Sequence, residues 1–156
     1  MKITTSIGTL WLAADVKGLT GVSFTELSTT TTNSFTYQAK KEILEYLAGQ
    51  RTEFTVPLSF TTGTTFQRQV WQTLMKIPYG QTWSYLQVAT ALGKPKAVRA
   101  IGQANSKNPW PLIVPCHRVI GKNGQLVGYC GSNDTDALAT KQSLLTLENK
   151  QNKKSH

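Results

Sequence analysis

Near residue 60 the apolar pattern of the chain changes its period, and that switch decides what it can fold into. Before it, Leu10, Leu12 and Ala14 alternate with Trp11 and Ala13, the two-residue repeat of a half-buried strand. Gly8 and Asp15-Val16-Lys17-Gly18 are turn signals, and Leu19 to Phe24 is a third strand candidate, so a meander of three short strands is predicted. Thr29 to Thr32, with Asn33 and Ser34, reads as a loop. Ala39, Ile43, Leu44 and Leu47 then recur at helical spacing, and Gly49 is placed to stop that helix.

Pro57 and Thr61-Thr62-Gly63 read as a linker, after which the repeat is helical. Phe66, Val70, Trp71 and Leu74 make one stripe, entered from Thr64 or Thr65 and ended by Pro78-Tyr79-Gly80. Ser84 and Gln87 form a capping box that opens a second helix with Leu86, Val88, Ala89 and Leu92, stopped by Gly93. Pro95 suits the first turn of a third helix, Lys96 to about Asn105. Two helices joined by Gly93-Lys94-Pro95 make a helix-turn-helix pattern. The expected fold class is α+β. A small antiparallel sheet domain (1–60) is followed by a mostly helical domain with the helix-turn-helix (61–149) and a disordered basic tail (150–156).

Charge divides at the same place. The chain carries 17 Lys+Arg against 8 Asp+Glu, a net +9. Residues 1–62 hold 5 of each sign; residues 63–156 hold 12 basic and 3 acidic, and no acid occurs from Phe54 to Asn133. The excess sits on the helical part, and a one-signed surface there points to a polyanionic partner. In the third helix Ala97, Ala100, Gly102 and Ala104 are small and surround Arg99. Small residues allow close packing on a core, and they also make a helix slim. The DNA minor groove is about 6 Å wide against about 12 Å for the major groove, so a slim helix with one long cation has the shape of a wedge.

Two cysteines and two histidines are too few for a disulfide framework or a four-ligand zinc site, so no metal is expected. Lys2, Thr4, Thr5, Ser6 and Asp15 break any signal-peptide pattern, and no 18-residue apolar run occurs. An intracellular protein without a membrane partner is expected, cytoplasmic, or nuclear if eukaryotic. The chemistry centres on Val114-Pro115-Cys116-His117-Arg118-Val119. Thiolate is the reactive form of cysteine, and the flanking imidazole and guanidinium predict a lowered thiol pKa. Neighbours on a strand point apart, so His117 need not touch Cys116 directly.

Pro115-Cys116-His117-Arg118-Val119 resembles the active-site motif of the O6-alkylguanine-DNA alkyltransferases (methylated-DNA–protein-cysteine methyltransferases). Asn108-Pro109 stands ahead of the cysteine as in that family. Lys96 to Gly102 resembles its recognition helix, and Gly128-Tyr129-Cys130-Gly131 its substrate loop. Phe66 to Trp71 and Pro78-Tyr79-Gly80 are also similar, so the likeness runs over residues 65–149. The first third resembles the family's ribonuclease-H-like N-terminal domain more weakly.

The resemblance implies direct-reversal repair, with the nucleotide flipped out of the duplex and the alkyl group moved once, irreversibly, to Cys116. His117 would act through a water and be oriented by Glu148. Tyr85 would press on the target phosphate and protonate the leaving guanine. Asn108 would tie the recognition helix to the cysteine segment, and Arg99 would fill the vacated base stack. Further DNA contacts would come from Ser84, Gln67, Lys96, Ala97 and Gly102. Val127, Tyr129, Cys130, Gly131 and backbone near Val114 would form the base pocket. No cofactor and no obligatory protein partner are implied; the partner is double-stranded DNA carrying O6-alkylguanine, bound by a monomer.

The chain departs from the family pattern at several positions. Cys130 stands where Ser or Ala is usual, Ser132 where a second Gly is common, Trp83 where many bacterial members have Arg, and Leu86 where some have a polar residue. Three other readings compete. A lesion binder without an acceptor is opposed by Cys116 itself. A helix-turn-helix regulator would carry long polar side chains on its third helix. A Cys-His hydrolase would need an oxyanion hole and would turn over.

Overall fold

The computed structural model describes residues 1–29 and 31–154. The chain divides into two compact units, Met1–Thr62 and Gly63–His156.

In the first unit β1 (Lys2–Thr5), β2 (Gly8–Ala14) and β3 (Leu19–Ser23) form the expected antiparallel meander. Ile3 pairs with Leu10 and Leu12 with Val22, so these four share one face, and all four are buried. Asp15 Oδ1 accepts from the amides of Lys17 and Gly18 and shapes the β2–β3 turn.

Helix α1 (Ser34–Leu47) starts within the expected loop, because Asn33 accepts from the Thr36 amide while Thr36 Oγ1 accepts from the Asn33 amide. Thr30 of that loop lies outside the described residues. The buried face of α1 is Ala39, Glu42, Ile43 and Tyr46. The sequence expectation had Leu44 and Leu47 inward; Leu44 is exposed, because Tyr46 occupies the i+7 position from Ala39 and turns the face its way. Glu42 is tolerated there because its carboxylate accepts from the Thr55 amide at 2.9 Å, the Thr55 hydroxyl at 2.6 Å and the Val56 amide at 3.0 Å.

Those bonds, and the pairing of Leu58 with Leu19, make the segment around Pro57 part of the first unit rather than a free linker. Gly18 is required at this seam: a Cβ there would lie 2.5 Å from the Pro57 carbonyl oxygen.

In the second unit α2 (Thr65–Leu74) is capped by Thr64 and Gln67 and buries Val70, Trp71 and Leu74. Trp71 stands edge-on to Trp110, and its indole N–H donates to the Ala104 carbonyl at 2.9 Å. Helix α3 (Tyr85–Ala91) opens with the expected Ser84–Gln87 capping box. Gly93, at φ +80, ends it in the left-handed conformation that suits glycine.

Helix α4 (Val98–Ser106) starts later than the sequence suggested. Lys96 and Ala97 belong to the turn, closed by the Ala97 amide on the Lys94 carbonyl. Two-residue strands β4 (Trp83–Ser84) and β5 (Val119–Ile120) pair in parallel and tie the start of α3 to the chain just after Cys116. Helix α5 (Thr135–Lys154) is longer than any element expected. Residues 150–154, expected as disordered tail, are helical, and residues 155–156 lie outside the described residues.

Candidate active site

Cys116, His117 and Arg118 form a single 3₁₀ turn entered from Pro115. The turn is closed by the Arg118 amide on the Pro115 carbonyl at 3.0 Å. Asn108 braces the approach to it: Nδ2 donates to the Val114 carbonyl at 2.9 Å, and Oδ1 accepts from the Trp110 amide at 2.9 Å. Residues 111–119 are all buried, and Cys116 is a free thiol at 2% exposure.

The two side chains after Cys116 are claimed by one carboxylate on α5. His117 Nε2 lies 2.6 Å from Glu148 Oε2, while Arg118 Nε donates to Glu148 Oε1 at 2.8 Å and Nη2 to Oε2 at 3.1 Å. Arg118 also caps the Ile77 carbonyl through Nη1. Burial alone would raise the Glu148 carboxyl, but the bonds to His117 and Arg118 win and bring it down to about 2. Burial lowers His117 despite Glu148, and the Arg118 and Lys141 charges push the same way. At neutral pH the ring is therefore neutral, donates from Nε2 to the carboxylate and has Nδ1 as its basic nitrogen.

This corrects one expectation. The imidazole and guanidinium that flank Cys116 in sequence do not supply its positive field, because both are turned to Glu148. The cation that faces the thiol is Lys141 of α5, a fully buried lysine. Its ammonium donates to the carbonyls of Val119 at 2.6 Å, Gly128 at 3.0 Å and Val127 at 3.2 Å. Burial lowers it to about 8, and the two nearby sulfurs oppose that shift, so it stays charged at neutral pH. The Cys116 thiol sits below the ordinary cysteine value. A hydrogen bond with the Cys130 side chain is the largest cause; burial opposes it, and Asn108 and Lys141 help to lower it.

Cys130 also lines a cavity of about 350 Å³. One wall is α4, where Val98, Gly102, Asn105 and Ser106 share a face at helical spacing; the opposite wall is the loop from Val127 to Gly131. Of the expected pocket residues, Val127, Tyr129, Cys130 and Gly131 line it; Val114 does not, and its carbonyl is taken by Asn108. Tyr85 lines it as well, its hydroxyl donating to the Val127 carbonyl at 3.2 Å. Burial raises the Tyr85 phenol, and the nearby Cys116 sulfur does too, so it keeps its proton. A Cβ on Gly102 would lie 3.8 Å from the Tyr85 ring, which shows how closely α4 passes this tyrosine.

Arg99 and Lys96 are exposed, on α4 and on the turn before it. Ser84 and Gln67 hold helix N-termini by their side chains. Among the described residues no group of His, Cys, Asp and Glu is arranged to hold a metal ion, and no helix is long and apolar enough to cross a membrane. The sequence reading missed Lys141 as the buried cation, Arg118 as the partner of Glu148, and Asn105 and Ser106 as cavity wall. The spacing Lys141, Leu144, Glu148 was the available signal: i, i+3, i+7 is one helix face, with charge where apolar residues are usual.

Fold and site together define a protein that couples a helix-turn-helix to a buried free thiol and to a cavity walled by its third helix. Comparison with known proteins agrees. Residues 65–150 match the family model for the 6-O-methylguanine DNA methyltransferase DNA-binding domain, and residues 2–60 match that for the ribonuclease-like domain of the same proteins. A methylated-DNA–protein-cysteine methyltransferase of Methanosarcina acetivorans is 42% identical over 91% of this chain and 92% of its own length. The constitutive methylated-DNA–protein-cysteine methyltransferase of Bacillus subtilis is 58% identical over 61% of this chain, a stretch that spans 57% of that relative. The crystal structure of Mycobacterium tuberculosis OGT in complex with DNA superposes with a TM-score of 0.85 at 41% identity, covering 96% of this chain and 92% of the other. The chain belongs to the 6-O-methylguanine DNA methyltransferase family.

Proposed function

We propose that this protein repairs DNA by direct reversal, moving the alkyl group of O6-alkylguanine in duplex DNA onto its own Cys116. The observation that carries the reading is a buried free thiol on the turn that Asn108 braces and Glu148 grips through His117 and Arg118, in the same unit as a cavity walled by α4 of the helix-turn-helix and the Val127–Gly131 loop. The cavity, about 350 Å³, falls within the roughly 300–1,000 Å³ typical of small-ligand sites. Guanine O6 lies inside the duplex, so the nucleotide must be extruded before a protein sulfur can reach it.

The roles follow from placement. The Cys116 thiolate attacks the alkyl carbon; the S–C bond forms, the C–O bond breaks, and the electron pair passes to the guanine ring. Tyr85, kept protonated by burial, supplies a proton to the leaving base. His117, oriented by Glu148, takes up the thiol proton through a water. Val127, Tyr129, Cys130 and Gly131 hold the flipped base, and Asn108 ties the segment before Cys116 to the end of α4. Arg99 fills the vacated stack, offsetting an extrusion cost of a few kcal/mol. Gln67, Ser84, Lys96, Ala97 and Gly102 face the DNA, and the +9 charge supplies sequence-independent attachment.

The thioether product is stable, so each molecule, acting as a monomer without a cofactor, transfers one alkyl group. Intact mass after incubation with excess O6-methylguanine duplex tests this. One methyl gained per chain is expected, absent in Cys116→Ala. No gain, or turnover beyond one methyl per chain, would overturn it.

A further inference from the structure

We propose that Asn105 is a specificity-determining residue for the reaction: its side-chain carbonyl oxygen accepts from the exocyclic 2-amino group of the extruded base. The inference rests on the repair reading for the identity of that base and adds one contact to it.

Asn105 lies in the last turn of α4, on the face that lines the cavity with Gly102 and Ser106. It is 8% exposed, and its Oδ1 is a buried acceptor with no hydrogen-bond partner among the described residues. Buried polar groups are normally paired, so an open one calls for a reason. Packing is not that reason. Asn is a weak helix former, because its side chain competes for backbone groups, and the other buried residues of α4, Ile101 and Ala104, are apolar. Alanine would suit the helix better and would leave no acceptor unmet.

The donors nearby are already engaged. The Tyr85 hydroxyl donates to the Val127 carbonyl at 3.2 Å, and the Ser106 hydroxyl to the Gln103 carbonyl at 2.7 Å. The Tyr129 amide donates to the Ser132 carbonyl at 2.8 Å. The Lys141 ammonium serves the carbonyls of Val119, Val127 and Gly128. The donor that completes Asn105 is therefore one that a ligand brings into the cavity.

That requirement selects one edge of the base. An amide oxygen accepts and never donates. Alkylation at O6 leaves guanine N1 without a hydrogen, N3 and N7 are acceptors, and N9 is bonded to the sugar. The 2-amino group carries the remaining N–H donors of the lesion. O6-methylhypoxanthine, the same base without that group, leaves Asn105 buried and unmet, the situation in which a polar site rejects an analogue.

The test changes one group on each side of the contact. Methyl-transfer rates from duplexes carrying O6-methylguanine or O6-methylhypoxanthine are compared for the wild-type protein, Asn105→Ala and Asn105→Asp. The wild type is expected to react about tenfold more slowly without the 2-amino group, the scale of one hydrogen bond. Asn105→Ala is expected to lose about tenfold on O6-methylguanine and nothing further on O6-methylhypoxanthine, so the two lesions converge. Asn105→Asp keeps an acceptor, so it keeps the preference and remains informative if alanine fails to fold. A wild type indifferent to the 2-amino group overturns the proposal. So does an alanine variant slowed equally on both lesions, the result for a residue that only supports the helix. Affinities of Cys116→Ser for the two duplexes, with and without Asn105→Ala, are expected to show the same ratios without any transfer. A wild-type protein that takes no methyl from O6-methylguanine overturns the repair reading, and those binding ratios still decide the Asn105 contact.

Discussion

His117 and Glu148 lie 31 residues apart in the chain and 2.6 Å apart in space, both buried, with Arg118 gripping the other side of the same carboxylate. The pair makes the imidazole a fixed, neutral base rather than a cation next to the thiol. It also welds α5 to the turn that carries Cys116.

Acid sensitivity follows from that weld. Glu148 is lowered to about 2 in the folded chain, against 4.5 as its ordinary value, so its contribution is complete above about 4.5 and is lost as pH falls toward 2. His117 is lowered by burial, so below its ordinary value of 6.5 the unfolded chain binds a proton the folded chain refuses. Both terms lower stability as pH falls. Urea midpoints should therefore drop progressively below about pH 6.5; a flat midpoint between pH 7 and 4 would contradict this.

Glu148→Gln should destabilise by about 3–5 kcal/mol, since it leaves the Arg118 guanidinium buried without its counter-charge. Arg118→Met with Glu148→Gln should recover part of that loss. Chemical denaturation of the two single variants and the double variant measures the coupling; strictly additive losses would argue against a shared carboxylate.

Lys141→Met should separate stability from reactivity. The carbonyls of Val119, Val127 and Gly128 lose a donor, a cost of about 1–3 kcal/mol. Without the ammonium, Cys116 should label at neutral pH about tenfold more slowly, the effect of one unit in thiol acidity. Thermal melts and iodoacetamide rates check the two halves independently. Labelling at the wild-type rate would mean that the lysine serves the loop alone.

Arg99→Ala should act only on duplex DNA. Arg99 is exposed on α4 and is not among the residues that line the cavity. Losing a side chain that offsets unstacking should slow repair of duplex substrate about tenfold or more. Reaction with free O6-benzylguanine, which needs no extrusion, should keep its rate. Equal losses on both substrates would place Arg99 in the pocket instead.

Much of this was legible in the residues themselves. The Ser84–Gln87 box, the Gly93 stop and the alternation around Leu12 are local signals, and local hydrogen bonding settled them. The short motif around Cys116 pointed to the family, and the acid-free stretch from Phe54 to Asn133 marked the charged unit. What sequence could not show was where charges end up. His117 and Arg118 read as neighbours of the thiol, yet both turn away, because the 3₁₀ turn aims them at α5. Nothing in the sequence singles out Lys141, and α5 hid because its buried face carries Lys141 and Glu148 beside Leu144. An apolar repeat finds helices that bury hydrocarbon. It does not find one that buries charge, since that charge is tolerable only once Val119, Val127, Gly128, His117 and Arg118 have been brought around it by the tertiary fold.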